Sequence, residues 1–336
     1  MHADRILLAH GSGGTMMKEL IDEVFVEGFS EEALKRLDDA ASLPFPGSRI
    51  AMSTDSYVVH PLFFPGGDIG RLAVCGTVND VATSGATPMY LSVGFILEEG
   101  FPIADLKRIL VSMREAAREA GVHIVTGDTK VVEKGHGDGC FINTAGVGVL
   151  PEGVDLSGSN CKPGDKVLLS GTLGDHGIAI VSIREGLEFS TSIETDAAPL
   201  NVLIANVRAA APDARCFRDP TRGGLASTLN ELADASGVSI TVNETSVPVN
   251  DQVRGASEML GYDVFQVANE GKMVAVVPAE QADAALAAMK ASPYGEKAAI
   301  IGEVAESPAG KVYVFTSFGA TRIMDMLVGE QLPRIC

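Results

Sequence analysis

Short β-branched runs alternate with longer stretches of helical period along almost the whole chain. One Gly/Ser/Pro-rich segment without period, PEGVDLSGSNCKPG at 151–164, interrupts them. Such alternation predicts an α/β or mixed α+β fold. The interruption splits the 336 residues into two halves of similar size, as expected of two domains. Strands are expected at 49–53, 72–77, 90–96, 123–126, 141–149, 166–170, 239–242, 273–277, 299–304 and 311–315. Helices are expected at 15–29, 102–120, 200–210, 222–235 and 279–291. The clearest is 102–120: Pro102 suits its first turn, Gly121 its end, and Ile103, Leu106, Leu110, Met113 and Ala117 share one face. Past 319 a short helix around 322–328 is expected, then a mobile tail, because Gly329 and Pro333 break helix.

Charge removes one class of function. Asp and Glu outnumber Lys and Arg by 44 to 26, and a net charge of −18 does not suit a nucleic-acid-binding protein. The five cysteines (Cys75, Cys140, Cys161, Cys216 and Cys336) are odd in number, contain no CxxC, and four lie in or beside apolar segments. That argues against a disulfide framework and for a reducing compartment. No apolar run approaches the ~18 residues of a membrane span, and the apolar stretch at 6–9 is too short for a signal peptide. The expectation is a cytoplasmic protein with no nucleic-acid or membrane partner.

No P-loop, dinucleotide fingerprint, HExxH or GxSxG occurs. Asp55 in STDSY, Asp80 in TVNDVATSGATP and Asp128 in VTGDTKVV end apolar runs among small polar neighbours, and Asp219 stands in RDPTRGG. A single aspartate so placed most often forms a turn or a cap. Four in similar settings suit Mg²⁺, which takes a few carboxylates plus phosphate oxygens. The HGSGG loop (His10, Gly11, Ser12, Gly13, Gly14) precedes a helix, so its backbone N–H groups are placed to cradle phosphate. GTLGDHG at 171–177 and RDPTRGGL at 218–225 read as ligand-facing loops or as tight turns, and His176 reads as a hydrogen-bonding loop residue. Glu270, in ANEGK before an apolar strand, suits a general base if buried and a solvated turn if not. Lys130 and Lys134 follow Asp128 closely. Cys336, the last residue of the sequence, reads as an exposed thiol on a tail. Such a thiol suits a swinging carrier, loaded with a group and then inserted into a site.

Taken together, AHGSGG, STDSY, LFFPGGDIG, NDVATSGA, FILEEG, TGDTKVVEKG, GTLGDHG, DPTRGG, ANEGK and the terminal PRIC resemble the HypE family of hydrogenase expression/formation proteins. STDSY, NDVATSGA and DPTRGG also resemble the wider superfamily of aminoimidazole ribonucleotide synthetase, selenophosphate synthetase and thiamine-monophosphate kinase.

The resemblance implies the two-domain α/β fold of that superfamily, with mixed sheets. It assigns 1–155 to an N-terminal ATP-binding and dimerisation domain, 156–318 to a C-terminal α/β domain and 319–336 to the carrier tail. It implies a homodimer paired through the N-terminal sheets, with ATP near the domain and dimer junctions. The implied reaction is ATP-dependent dehydration of an S-carbamoyl group on Cys336 to a thiocyanate, the source of the cyanide ligands of [NiFe]-hydrogenase iron. The implied partners are the HypF carbamoyltransferase, which loads the thiol, and a HypC–HypD complex, which receives cyanide. By the same resemblance, Asp55, Asp80, Asp128 and Asp219 serve Mg²⁺. ATP is held by the HGSGG loop with Asp55, Asn79, Asp80, Thr126, Gly127 and Asp128. Glu270 and a lysine, Lys130 ahead of Lys134, contact the carbamoyl nitrogen.

Two other readings remain open at this level. A kinase or synthetase acting on a free small molecule keeps the ATP site and needs no terminal cysteine. Selenophosphate synthesis also calls for a reactive cysteine near the N-terminus, and the first here is Cys75, inside an expected strand. A scaffold binding metal through the terminal thiol lacks convergent ligands.

Overall fold

The computed structural model describes residues 4–11, 15–31, 43–186, 193–326, 332 and 334–336. A 3₁₀ turn, Leu8–Gly11, precedes a continuous helical stretch of α1 (Thr15–Leu20), a π-helical segment Ile21–Val26 and α2 (Glu27–Phe29). Then come β1 (Ile50–Tyr57), the short pair β2 (Phe63–Phe64) and β3 (Gly67–Asp68), α3 (Ile69–Thr83) and β4 (Thr87–Glu98). The first half closes with α4 (Ile103–Ala120), β5 (His123–Val132) and β6 (Cys140–Val149). The second half holds β7 (Lys166–Leu169), α5 (Asp175–Arg184), α6 (Asn201–Ala210), β8 (Cys216–Arg218), α7 (Gly224–Ser236) and β9 (Ser239–Asn243). It continues with α8 (Asp251–Leu260), β10 (Val274–Val277), α9 (Ala282–Lys290), β11 (Ala299–Ala305), β12 (Lys311–Phe315) and β13 (Thr321–Ile323).

Two mixed sheets result. The first runs β1-β6-β4-β5, with β4 and β5 parallel across the α4 crossover and the other pairs antiparallel. The second runs β13-β12-β9-β11-β7-β10-β8, with only β9 and β12 parallel. Helix α4 follows its sequence signals: Pro102 caps it from an extended conformation. Gly121, at φ 71°, closes it with its N–H on the carbonyls of Ala117 and Arg118.

Helix α3 corrects the strand expected at 72–77. Asp68 caps it, accepting from the N–H groups of Gly70 and Arg71 at 2.8 and 3.0 Å. The helix is buried nearly all round, between the first sheet and α4. A helix without a solvent face shows no apolar period, so its run of apolar residues reads like a strand. Close packing also explains its glycines: a Cβ on Gly76 would lie 2.2 Å from the Tyr57 hydroxyl, and one on Gly70 2.6 Å from the Ile109 carbonyl.

Two further expectations change. The helix foreseen around 322–328 is strand β13 over Thr321–Ile323, paired with β12; residues 327 and 328 lie outside the described residues. Strand β8, helix α5 and helix α8 had no counterpart in the expected elements. Cys75, Cys140, Cys161 and Cys216 are buried free thiols, as expected. Among the described residues no helix is long and apolar enough to cross a membrane.

Candidate active site

The site forms where the end of β1, the last turn of α3, the turn after β8 and the segment before β10 meet. Burial alternates along β1, which leaves Ile50 and Met52 outward and turns Ser53 and Asp55 the other way. Ser53 Oγ donates to Asp80 Oδ2 on α3 at 2.8 Å, and Asp55 Oδ1 accepts from Ser56 N at 2.8 Å. Asp219 follows β8. The turn beyond it is tied to the ANEGK segment, because the backbone N and the side-chain Nδ2 of Asn269 both donate to the Pro220 carbonyl, at 3.1 and 3.0 Å.

Glu270 is buried, and its Oε1 has no hydrogen-bond partner. Its backbone N donates to Asp196 Oδ1 at 2.9 Å, and Asp196 Oδ2 faces the buried Lys272 ammonium at 3.1 Å. The turn needs glycine next: a Cβ on Gly271 would lie 1.7 Å from the Asp196 carbonyl.

These carboxyl groups share one field. Burial, then the negative charges of Asp219, Asp196, Asp55 and Asp80, holds the Glu270 pKa well above the ordinary range. Burial first and Asp80 second push Asp219 up to about 7. Asp80 rises as well, through burial with Asp55 adding to it, while the Ser53 hydrogen bond opposes. A buried carboxyl in such company needs a proton, a cation or a lysine. Among the described residues, no three His, Cys, Asp or Glu side chains converge closely enough to enclose an ion by themselves. The arrangement suits Mg²⁺ arriving with phosphates, which needs only one or two carboxylates.

A stability prediction follows from the sign of the Asp219 shift. A carboxyl whose folded pKa is about 7, against an ordinary value of 3.8, binds its proton more tightly in the fold. Stability from this group is therefore full at low pH and falls as pH rises through that window. Asp219→Asn should raise the melting temperature of the ligand-free protein, with a larger gap over wild type at pH 8 than at pH 4. A gap that shrinks with rising pH would sink the assignment.

The end of the chain, Arg334–Cys336, docks beside these acids, so the Cys336 thiol is half-buried where the sequence predicts an exposed one; residues 327–331 and 333 lie outside the described residues. Val58 N donates to the Cys336 carbonyl at 3.0 Å, and His60 N to that of Arg334 at 3.3 Å. Arg334 Nε donates to the Val58 carbonyl at 3.0 Å, and its guanidinium pairs with Asp138. Arg184 donates to the carbonyls of His60 and Arg334, and His176 Nε2 to that of Ile335 at 2.8 Å. The Ile335 side chain is buried in the core of the first half. Cys336 itself is half-buried. Burial, then the Glu270 charge, pushes its thiol pKa up, and the nearby Arg222 works the other way.

Other expected site residues fall elsewhere. Thr126, Gly127, Asp128 and Lys130 lie on β5, at the opposite edge of the sheet from β1. With β6 and β4 between them, Asp128 and Asp55 stand about three strand spacings apart, on the order of 14 Å. Asp128 therefore does not join Asp55, Asp80 and Asp219 of its own chain. Its carboxylate takes the Lys130 ammonium at 2.9 Å and the Thr129 N–H at 2.8 Å, and hydrogen bonding to Lys130 lowers its pKa.

Lys134 is exposed on the 133–139 loop, whose Asp138 grips the tail through Arg334. That loop, rather than Lys130, touches the docked C-terminal segment. Asn79 is a correction too: its Nδ2 donates to the Ala198 carbonyl at 3.0 Å and its Oδ1 accepts from Leu200 N at 2.7 Å. The buried amide is spent on joining the two halves. His10 is buried; its Nδ1 accepts from Leu7 N at 2.9 Å, so its Nε2 carries a proton and has no partner. The turn that carries it packs against β5. Gly11 closes the 3₁₀ turn, and Ser12, Gly13 and Gly14 lie outside the described residues.

Asp196, Lys272 and Arg222 are site residues that sequence reasoning did not single out. Lys272 and Arg222 lie within quoted motifs, whereas Asp196 in ETDAAP carries no local signal.

Comparison with known proteins agrees over the whole chain. Family models described as AIR synthase related protein match residues 37–150 (the N-terminal domain) and 162–315 (the C-terminal domain). Carbamoyl dehydratase HypE of Azotobacter vinelandii is 56% identical over 329 residues, 98% of this chain and 96% of the relative. The crystal structure of hydrogenase maturation protein HypE in complex with ATP superposes with a TM-score of 0.95 at 50% identity, covering 98% of this chain and 99% of the other. In a HypE–HypF complex the matched chain is 52% identical with a TM-score of 0.81, covering 92% of this chain and 99% of that one.

Proposed function

The chain belongs to the HypE family of carbamoyl dehydratases, and on that footing we propose that it converts an S-carbamoyl group on Cys336 to a thiocyanate at the expense of ATP. The observation that carries this reading is the docking of the Cys336 thiol within the field of buried Glu270, whose Oε1 has no hydrogen-bond partner.

The chemistry has one difficulty: an amide oxygen is a poor leaving group. Attack of the carbamoyl oxygen on the γ-phosphorus of ATP releases ADP and makes that oxygen part of a phosphate ester. Loss of phosphate from carbon, with removal of the nitrogen protons, leaves S–C≡N. The protein has to hold the tail in line with the nucleotide, offer a base and exclude water.

Glu270 suits the base: it is desolvated, its pKa is raised, and its Oε1 is unpaired. One or two of Asp55, Asp80 and Asp219, together with phosphate oxygens, would hold a magnesium ion, which would neutralise phosphate charge. His10 Nε2 and the HGSGG backbone would meet phosphate oxygens. Lys134, on the loop that grips Arg334, replaces Lys130 as the favoured contact to the carbamoyl group. Single-turnover kinetics test the stoichiometry: one ADP should appear per tail converted. ADP released equally fast from protein with an unloaded tail would count against the reading.

We further infer that the protein is a homodimer, loaded by a HypF-type carbamoyltransferase and discharged to a HypC–HypD-type iron scaffold. Buried free thiols suit a reducing compartment, and we place the reaction in the cytoplasm. Support for the dimer comes from the first sheet. Its helix-free face exposes Ile50, Met52 and Ile96, with Met52 at 68% of its full surface. A second copy of the same face would cover them. Met52→Asp should shift light-scattering mass from dimer towards monomer. An unchanged mass would place the interface elsewhere.

A further inference from the structure

The backbone oxygen of each of the last three residues of the docked tail meets a donor. Those of Arg334 and Cys336 are met by the backbone N–H groups of His60 and Val58, with Arg184 adding to the first. The middle one, Ile335, is met by a side chain alone, His176 Nε2 at 2.8 Å. A carbonyl only accepts, so Nε2 carries the proton. On the other edge of the ring, Nδ1 lies 2.7 Å from Thr195 Oγ1, and that oxygen accepts from Ala197 N at 3.1 Å. The imidazole is fully buried and meets the Phe64 ring edge-on at 5.6 Å between centroids. Burial lowers its pKa, with Asp196 and Arg184 the charged groups facing it, so the neutral ring donates at one edge and accepts at the other.

The ring also stands on the frame that holds Glu270. Gly174 N donates to Asn269 Oδ1 at 2.8 Å and Gly177 N to the Ala268 carbonyl at 3.1 Å, so the first turn of α5 is fastened to the strand of chain entering ANEGK. A Cβ on Gly177 would lie 2.4 Å from a Val267 methyl, which leaves the two segments in direct contact. The donor to Ile335 and the acid beside Cys336 are therefore fixed relative to one another.

We propose that His176 is a positioning residue for the dehydration: its hydrogen bond to the Ile335 carbonyl, one residue before the thiol, sets the carrier sulfur against Glu270, and Thr195 fixes the tautomer that makes the bond. The inference rests on the reading of Cys336 as carrier. A displacement of about 1 Å at a reacting group costs up to about 10²-fold in rate.

Full-length wild type, His176→Ala, His176→Gln and Thr195→Val test it with two readouts. The first is the rate of maleimide alkylation of Cys336, followed by peptide mass. The second is the single-turnover rate of ATP-dependent conversion after enzymatic carbamoylation of the tail. Loss of the anchor in His176→Ala should speed alkylation about tenfold, the worth of one buried hydrogen bond, and slow conversion about 10²-fold. The carboxamide of His176→Gln keeps an N–H donor and should recover much of both. Thr195→Val, nearly isosteric, should fall between wild type and His176→Ala. Alkylation and conversion unchanged in His176→Ala would overturn the proposal. So would glutamine behaving like alanine, which marks a role in packing only. Alkylation needs no turnover, so a wild type that failed to convert would remove the carrier reading and leave the anchoring measurable.

Discussion

Cys336→Ala should bind ATP as wild type does and form no thiocyanate at all. The substitution removes the sulfur that we assign as the carrier and touches little else. Cys336 is half-buried, and the contacts that dock its residue are made by backbone: Val58 N to its own carbonyl and His176 to that of Ile335. Folding stability should change by less than about 1 kcal/mol. The groups we assign to the nucleotide, Asp55, Asp80, Asp219 and His10, lie on other elements and keep their places. Fluorescent nucleotide titration checks binding, and peptide mass checks the tail. Weak nucleotide binding in the variant would mean that the thiol belongs to the ATP site. A modified tail in the variant would mean that another residue is the carrier.

Glu270→Gln should lower the conversion rate by about 10² to 10⁴, the usual range for loss of a positioned base, while carbamoylation of the tail by its loading partner persists. Glutamine keeps the shape of the buried side chain and the backbone bond to Asp196, but it takes up no proton. The pH dependence gives a second signature. Burial and four neighbouring aspartates hold the Glu270 pKa above its ordinary 4.5, so wild-type conversion should climb at pH values where an ordinary carboxyl is already fully ionised. That rise should vanish in the variant. The ligand-free variant should also be more stable than wild type, increasingly so as pH rises above 4.5, because the fold no longer confines a carboxyl that favours its proton. A variant that converts at the wild-type rate would transfer the role of base to another group.

How much of this was visible in the residues depends on what each element shows to water. Helix α4 lies on the sheet with one face outward, and its period, its proline and its glycine all point to the observed bounds. Strand β12 matches its expected span residue for residue. Helix α3 was hidden because it is enclosed on all sides, and its Asp68 cap lay just beyond the apolar run that drew attention. The carboxylates were legible one at a time: Asp55 and Asp80 at the ends of apolar runs, Asp219 within RDPTRGG and Glu270 just before an apolar strand. Their convergence was not legible, since it depends on loops that cross between the two sheets. The same limit explains Asp128 and Asn79. Strand order sends the first to the far edge, and the second is consumed by the backbone of 198–200. The docking of the tail has no local signal either, because its donors come from Val58, His60, His176 and Arg184, far apart in sequence.

The most direct test of the central claim is the intact mass of the peptide ending in Cys336, measured after carbamoylation, with and without magnesium and ATP. We predict a carbamoyl adduct that is stable without nucleotide and loses the mass of one water once ATP is added, on Cys336 and nowhere else. An adduct that ATP leaves unchanged, or one that returns to the free thiol, would contradict dehydration at this site.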